Sequence, residues 1–436
     1  MKKLYRPLMV MLVVTLVVVL AIGTFVTRST RSKVTSLRQE IKQEGDPLYL
    51  VDFRVDPIEN DSNCYFHLMN AKEDILAFDE FLLKSFNGAA GADFRYPKKL
   101  VKSDVDTLVK GIEDHRELFD QIERMADCKQ YQADLDFEKG YAILLHHIEL
   151  CRSVTSALKA MIISDVSQQR GDEAIRNCIQ GLRISRLLMD EPILISFLYA
   201  LQMEGTMLDG AFYVISNTPT TAEARADLRR AIAGSNRKNG LLLALKGERS
   251  CGIQTFRDLR EGNDNALGGM RVSNHILGFA FEQAYLNDDE SQYITVMNNA
   301  IENADKSHPE RVRLSEEIIK KLEGSALRFS VTKLILPATL ATTEAVDFNT
   351  AKARSLQVIL RLQAEGQVTL SDLPQDPFSR KPLITKQKDQ AWTVYSVGKN
   401  QKDDHGDFGT PKQHARQAPD VGYGPIHVVP SGGNAN

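Results

Sequence analysis

From Leu8 to Val26 the chain carries no charged side chain and consists mostly of Val and Leu, with Lys2, Lys3 and Arg6 just before it. That length approaches the ~20 apolar residues a spanning helix needs, so the pattern predicts a membrane helix preceded by a short basic tail. Ala21, Ile22 and Gly23 offer small residues at a plausible cleavage position, which makes a cleaved signal peptide the alternative. Arg28, Arg31, Lys33 and Arg38 crowd the far side and weaken the charge asymmetry. A brief basic N-terminus that leads at once into a span nevertheless has the layout of an export signal, so the body is expected on the exported side.

Beyond that segment the polar and apolar positions alternate with helical period from Asn60 to about Glu365. Asp61 or Ser62 suits the cap of a helix running through Leu83, and further helices are expected over Ser103 to Asp127 and Phe137 to Gln169, with a break at Gly171. Ile175, Cys178, Ile179 and Leu182 then fall on one face while Arg176 and Arg183 fall on the other, the pattern of an amphipathic surface helix. Pro192 suits a first helical turn, and Ile193 to Leu201 is apolar except at Ser196, which predicts a central helix covered on most sides. Gln202, Glu204 and Asp209 end that run too early for a second span. Thr220 with Glu223 reads as a capping box, Gly234 as a stop, and Ser307 with Glu310 as a further helix start. Short joints between successive helices suggest stacked hairpins without a clean repeat period, hence an irregular or degenerate-repeat helical bundle.

Composition fits a folded body: 43% of residues are hydrophobic and 25% charged. The net charge of −3 argues against a general nucleic-acid binder. The five cysteines, Cys64, Cys128, Cys151, Cys178 and Cys251, include no CxxC pair and are expected to be buried free thiols.

The C-terminal block has a different pattern. Pro377 and Pro382 stiffen a turn at Ser379 and Arg380, while Trp392, Val394 and Tyr395 favour a pleated, half-buried surface, so a small β hairpin is expected. The loop that follows, Gly398 to Asp407, gathers Asp403, Asp404, Asp407 and Asn400, oxygen ligands of the kind calcium prefers, without the spacing of an EF-hand. After Asp407 the chain is rich in Gly, Pro and polar residues and reads as a mobile tail.

The helix from Thr342 to Glu365, the run Gly366 to Leu373, Asp376-Pro377-Phe378, Tyr395-Ser396-Val397-Gly398 and Asp403-Asp404 together resemble the C-terminal part of type II secretion pseudopilins. That resemblance covers residues 342–407 and implies that Asp403, Asp404 and Asp407 are calcium ligands. A pseudopilin also needs a leader ending in Gly and an early Glu, and Met1 to Pro7 supplies neither. Arg170-Gly171-Asp172-Glu173-Ala174, Asp190-Glu191-Pro192-Ile193-Leu194-Ile195-Ser196 and Lys246-Gly247-Glu248-Arg249, taken with the C-terminal block, resemble an uncharacterised family of membrane-anchored bacterial helical proteins. This second resemblance implies no activity. It implies that the helical region and the hairpin belong together in a bacterial protein, for which the exported side expected from the N-terminus is the periplasmic face of the inner membrane.

Catalytic signatures are scarce. His147 and Cys151 stand four apart, and His146 and Glu149 three apart, so each pair shares a helix face and could contribute to a transition-metal site, although the pairs face differently. There is no HExxH, GxSxG or phosphate-binding loop. The fold expected is mainly α, with an N-terminal transmembrane helix, an irregular helical bundle and a small C-terminal β hairpin. The segments are a membrane anchor (1–32), a juxtamembrane linker (33–59), a helical domain (60–341), a helix plus hairpin (342–407) and a tail (408–436). The function expected is an exported, membrane-anchored binding or scaffold protein with a protein partner, associated with a secretion or pilus-like assembly. The alternative is a metal-dependent enzyme using His146, His147, Glu149 or Glu248 between helices.

Overall fold

The structure is a computed structural model that describes residues 2–86, 96, 101–263, 279–323, 329–409 and 418–427. In chain order the longer helices are α1 (Lys2–Gln43), α2 (Cys64–Asn70), α3 (Lys72–Ser85), α4 (Lys102–Asp114), α5 (Arg116–Asp127), α6 (His146–Ser167) and α7 (Gly171–Leu188). They continue with α8 (Leu194–Asn217), α9 (Ala222–Ala233), α10 (Arg237–Arg260), α11 (Phe279–Glu302), α12 (His308–Glu323) and α13 (Ser330–Glu365). Strands β1 (Ile384–Lys388), β2 (Ala391–Ser396) and β3 (Val421–His427) form one antiparallel sheet in that order.

The first helix has two halves. From Met9 to Val26 its described large apolar side chains stand exposed, among them Met11 at 65% and Phe25 at 73%. Val34, Leu37 and Ile41 recur at helical spacing and turn inward, and this half packs along α11. Among the described residues no helix is long and apolar enough to cross a membrane. The side chains of Leu8, Leu12, Leu16, Val19 and Leu20, part of the expected span, lie outside the described set.

Local chemistry moves several helix boundaries. The cap before α2 is Asn63 rather than Asp61 or Ser62. Its Oδ1 accepts from the Tyr65 amide at 3.1 Å and the Gln132 amide at 3.0 Å, and its Nδ2 donates to the Gln132 carbonyl at 2.9 Å, stitching the helix start to a distant segment. The expected helix then breaks at Ala71 into α2 and α3. At His115, Nδ1 donates to the Gly111 carbonyl at 2.8 Å and separates α4 from α5. Gly140, at φ +52°, kinks a short 3-10 turn over Phe137–Ala142, and α6 starts only at His146. Thr221, not Thr220, caps α9 by accepting from the Ala224 amide, because the Thr220 carbonyl and hydroxyl are taken by Arg225. Ser307 and Glu310 exchange the two bonds of a capping box as expected.

The core centres on α8, whose Leu194, Phe197, Ala200, Leu201, Met207 and Leu208 are buried against α6, α7, α10 and α13. Pro192 lies before this helix, not in its first turn: Ile193 is extended, and α8 starts at Leu194. The displaced Pro192 carbonyl packs on Gly247 of α10, where any Cβ would lie 1.9 Å from that oxygen. Gly171 serves the same purpose at the start of α7, where a Cβ would lie 2.0 Å from the Pro219 carbonyl. Both glycines permit backbone contacts that no side chain would allow.

Three chain segments meet beside Gly247. Asp46, just after α1, accepts from Lys246 at 2.5 Å and from Arg249 at 2.6 Å, and Arg249, only 1% exposed, also donates to Asn298 of α11 at 2.9 Å. Nearby, the fully buried Glu290 of α11 takes Arg38 of α1 at 2.5 Å and Arg260 of α10. Burial alone would raise the Asp46 carboxyl, but the hydrogen bonds and charges of Lys246 and Arg249 outweigh it and hold it below the usual carboxylate range.

The sheet closes the far end against α13 and α8. Asp376, 1% exposed, is its keystone: Oδ1 accepts from the Phe378 amide at 2.8 Å and Ser396 Oγ at 2.6 Å, and Oδ2 from Ser379 Oγ at 2.9 Å and the Val397 amide at 3.1 Å. The expected hairpin is therefore real but incomplete. Val421–His427, expected within a mobile tail, pairs with β2 as a third strand, because Tyr423 stacks on Phe212 at 4.8 Å and donates to Asp209 at 2.8 Å. Residues 410–417 and 428–436 of the expected tail lie outside the described set.

Replacing Asp46 with Asn leaves the buried Arg249 charge without its counter-ion and is expected to cost about 3 kcal/mol in urea unfolding at pH 7. Because the folded carboxyl titrates low, the clamp contributes above the unfolded value near ~3.9 and is lost as pH falls through the lower folded value, so wild type and variant should converge in acid. An equal stability gap at both ends of that range would contradict the assignment.

Candidate functional site

The cleft with the most convergent chemistry, about 790 Å³ in volume, opens between the segment from Asp52 to Asn63, α2, the stretch from Tyr131 to Phe137 and the joint at Asp190 to Pro192. Its rim carries Asp52, Asp134 and Asp190 against one guanidinium, Arg54, which already faces Glu138 at 3.7 Å. Phe53, Tyr65, Phe66 and Phe137 supply aromatic walls.

Glu191, 4% exposed, borders this cleft. It lies in the joint between α7 and α8, and its two carboxylate oxygens are treated unequally. Ser196 of α8 donates to Oε1, and His147 Nε2 of α6 lies 3.2 Å from the same oxygen, where a protonated nitrogen donates to it. Oε2 is buried without a hydrogen-bond partner. Tyr131 also lines the cleft, and its buried hydroxyl lies beside the Cys151 thiol with no oxygen or nitrogen partner. His147 forms a triangle of rings with Tyr65 and Tyr131, its centroid 6.0 Å from the first and 6.1 Å from the second. The histidine thus braces the carboxylate from behind rather than facing the cavity.

Of the residues singled out as a transition-metal pair, His147 and Cys151 both point inward, while His146 and Glu149 are exposed on the opposite side of α6. Burial, reinforced by the Glu191 charge, pushes the Cys151 thiol up to about 12, which disfavours the thiolate a metal requires. All five cysteines are free, and Cys64, Cys151, Cys178 and Cys251 are buried. Glu248, the other enzymatic candidate, accepts from the Tyr141 hydroxyl at 2.8 Å, and burial raises its carboxyl. It lies away from His147, on the α10 side of the 3-10 turn over Phe137–Ala142.

The proposed calcium ligands share one loop but turn to separate tasks. Asp403 accepts from the Tyr395 hydroxyl at 2.7 Å, from the His405 amide at 2.9 Å and from Lys386 at 3.2 Å. Those contacts, led by the Tyr395 bond, lower its carboxyl to about 2. Asp404 accepts from Asn400 at 2.7 Å, and Asp407 from the Gly409 amide at 2.9 Å. Asp420, before β3, accepts from the Gly406 amide at 2.8 Å and ties the loop to the sheet, while burial raises its carboxyl. Among the described residues no three His, Cys, Asp or Glu side chains are grouped so as to hold a metal ion.

A second cleft, of about 740 Å³, lies between α5, α7 and α9, but its charges face one another, with Arg183 beside Asp127 and Arg230 bonded to Asp227. Sequence reasoning quoted Glu191 only as part of a joint and passed over Tyr131. The available signal was a carboxylate set at the mouth of an otherwise apolar central helix. Comparison with known families, curated proteins and solved structures finds no match to this chain.

Two outcomes are expected. Melting temperatures in millimolar calcium and in chelator should coincide, because Lys386 and Tyr395 already occupy Asp403; a shift of several degrees would show that the loop reorganises around the ion. Replacing Glu248 with Gln should stabilise the fold at pH 7. The raised folded value means that ionised Glu248 is penalised, so the relative stability of wild type is greatest below the unfolded value and is lost as pH rises through the folded one. The advantage of the variant should therefore vanish in acid, and a variant less stable than wild type at pH 7 would contradict this.

Proposed function

We propose that the chain is a single-pass, membrane-anchored protein whose helical body is exported to the periplasmic face of a bacterial inner membrane, where it serves as a binding or scaffold component. The observation that carries this reading is the division of α1: its described large apolar side chains from Met9 to Val26 stand exposed, and its next turns dock on α11. A contiguous exposed apolar surface of this size needs a second apolar phase, and a bilayer supplies it. The basic residues fit the same orientation better than the sequence alone suggests. Arg38, one of the cations beyond the apolar run, is spent on Glu290 inside the body. Lys2, Lys3 and Arg6 then weigh more heavily as the cytoplasmic tail.

The body supports binding rather than catalysis. Its helices join irregularly, as in a degenerate-repeat bundle, and leave a cleft lined by aromatic rings and unsatisfied polar groups. At the other end, α13 leads through the Asp376 turn into an antiparallel sheet closed by a polar loop, a layout that supports the resemblance to pseudopilin C-terminal segments. A place beside a secretion or pilus-like assembly follows from that resemblance.

In a bacterial host the full chain should remain in the membrane pellet through a carbonate wash, at a size that retains α1, and protease added to spheroplasts should digest its body. Release by carbonate, or a body protected until the membrane is dissolved, would contradict the proposal.

A further inference from the structure

We infer that the cleft bordered by Glu191 and Tyr131 receives a primary ammonium group, borne either by a lysine side chain of a partner protein or by a free alkyl diamine. The inference rests on the binding reading of the body and gives it a ligand chemistry.

The first argument is the unequal treatment of Glu191. Oε1 already has two contacts, from Ser196 and His147, whereas Oε2 is buried with none. A buried acceptor left unpaired is costly, so a group that donates a hydrogen bond there recovers that cost on binding. The second argument is Tyr131, which lines the same cavity and whose buried hydroxyl lies beside the Cys151 thiol with no oxygen or nitrogen partner. Burial above all, with the Glu191 charge adding, pushes its phenol up, so the hydroxyl keeps its proton and its lone pairs can accept. An ammonium, with three N–H groups and no acceptor, can donate to oxygens of either kind.

The charge around the cleft selects the sign of the ligand. Asp52, Asp134 and Asp190 line the opening, and the lone guanidinium, Arg54, already faces Glu138. Anions are repelled. The aromatic walls, Tyr65 and Phe66 among them, suit both an alkyl stem and the cation at its end. The occupied oxygen also separates ammonium from guanidinium. A guanidinium binds best as a fork on both oxygens of a carboxylate, and here His147 and Ser196 hold one of them. A point-like donor fits what remains.

The test is calorimetric titration of the full chain in detergent with three probes: butane-1,4-diamine, Nα-acetyl-lysine methylamide, and Nα-acetyl-norleucine methylamide, which keeps the stem and lacks the charge. At least one ammonium probe should bind and the neutral one should not. A stronger response to the lysine amide assigns the site to a partner's lysine, and a stronger response to the diamine assigns it to a free amine. Glu191→Gln should weaken binding about tenfold or more. Since that change also disturbs Ser196 and His147, Tyr131→Phe is the companion variant: it keeps the ring and should weaken binding several-fold while melting like wild type. No binding of either ammonium probe at millimolar concentration, equal binding of the norleucine amide, or undiminished binding by folded Glu191→Gln would overturn the inference. None of these results bears on membrane attachment, which fractionation tests separately.

Discussion

The fold depends on a carboxylate, Asp46, placed where the first helix hands the chain to the body. Its partners Lys246 and Arg249 lie on α10, and Arg249 reaches on to Asn298 of α11, so one acid joins three elements remote in sequence. Arg249 is buried and long, and it could not sit there without a counter-charge. Glu290 repeats the arrangement one step along, holding Arg38 and Arg260. Along the same stretch of α1, Val34, Leu37 and Ile41 supply apolar contact, Ile41 between the two ion-pair sites. Charge fixes the register of α1 on the body, and burial supplies the adhesion.

The same economy explains the short sequence signatures. Within Lys246-Gly247-Glu248-Arg249 every residue has a partner: Asp46, the Pro192 carbonyl, Tyr141, and Asp46 again with Asn298. Gly247 therefore joins this signature directly to the Asp190 to Ser196 joint. Arg170 pairs with Asp165, Gly171 meets the Pro219 carbonyl, and Asp172 accepts from the Thr221 amide at 2.8 Å. Asp376 links the turn around Phe378 to Ser396 and Val397. These are joints between elements, which is why they read as motifs without reading as chemistry. The Glu191 joint is the exception, because one of its oxygens remains free for something else.

Sequence reasoning recovered what local pattern determines. The helical body, the apolar α8, the amphipathic α7 and the strands around Trp392 and Tyr395 follow from periodicity and propensity, since their signals lie within one element. What escaped it depends on distant partners. Asn63 displaced the expected cap because Gln132 completes its bonds, and β3 was hidden because its pairing strand and its Phe212 contact lie outside the tail. Glu191 and Tyr131 are far apart in the chain, and only folding brings them to one cleft. The calcium reading of Asp403, Asp404 and Asp407 had the right residue types, but composition carries no information on Lys386, which reaches Asp403 from β1.

The central claim is that α1 beyond its apolar run is an integral part of the body, so that the cleft and the anchor move as one. Hydrogen–deuterium exchange of the amides from Val34 to Gln43 measures this directly, because a docked helix opens only with its partners whereas an undocked one frays alone. The account predicts protection equal to that of α10 and α11. Exchange at the rate of an isolated helix, with α10 and α11 still protected, would contradict it.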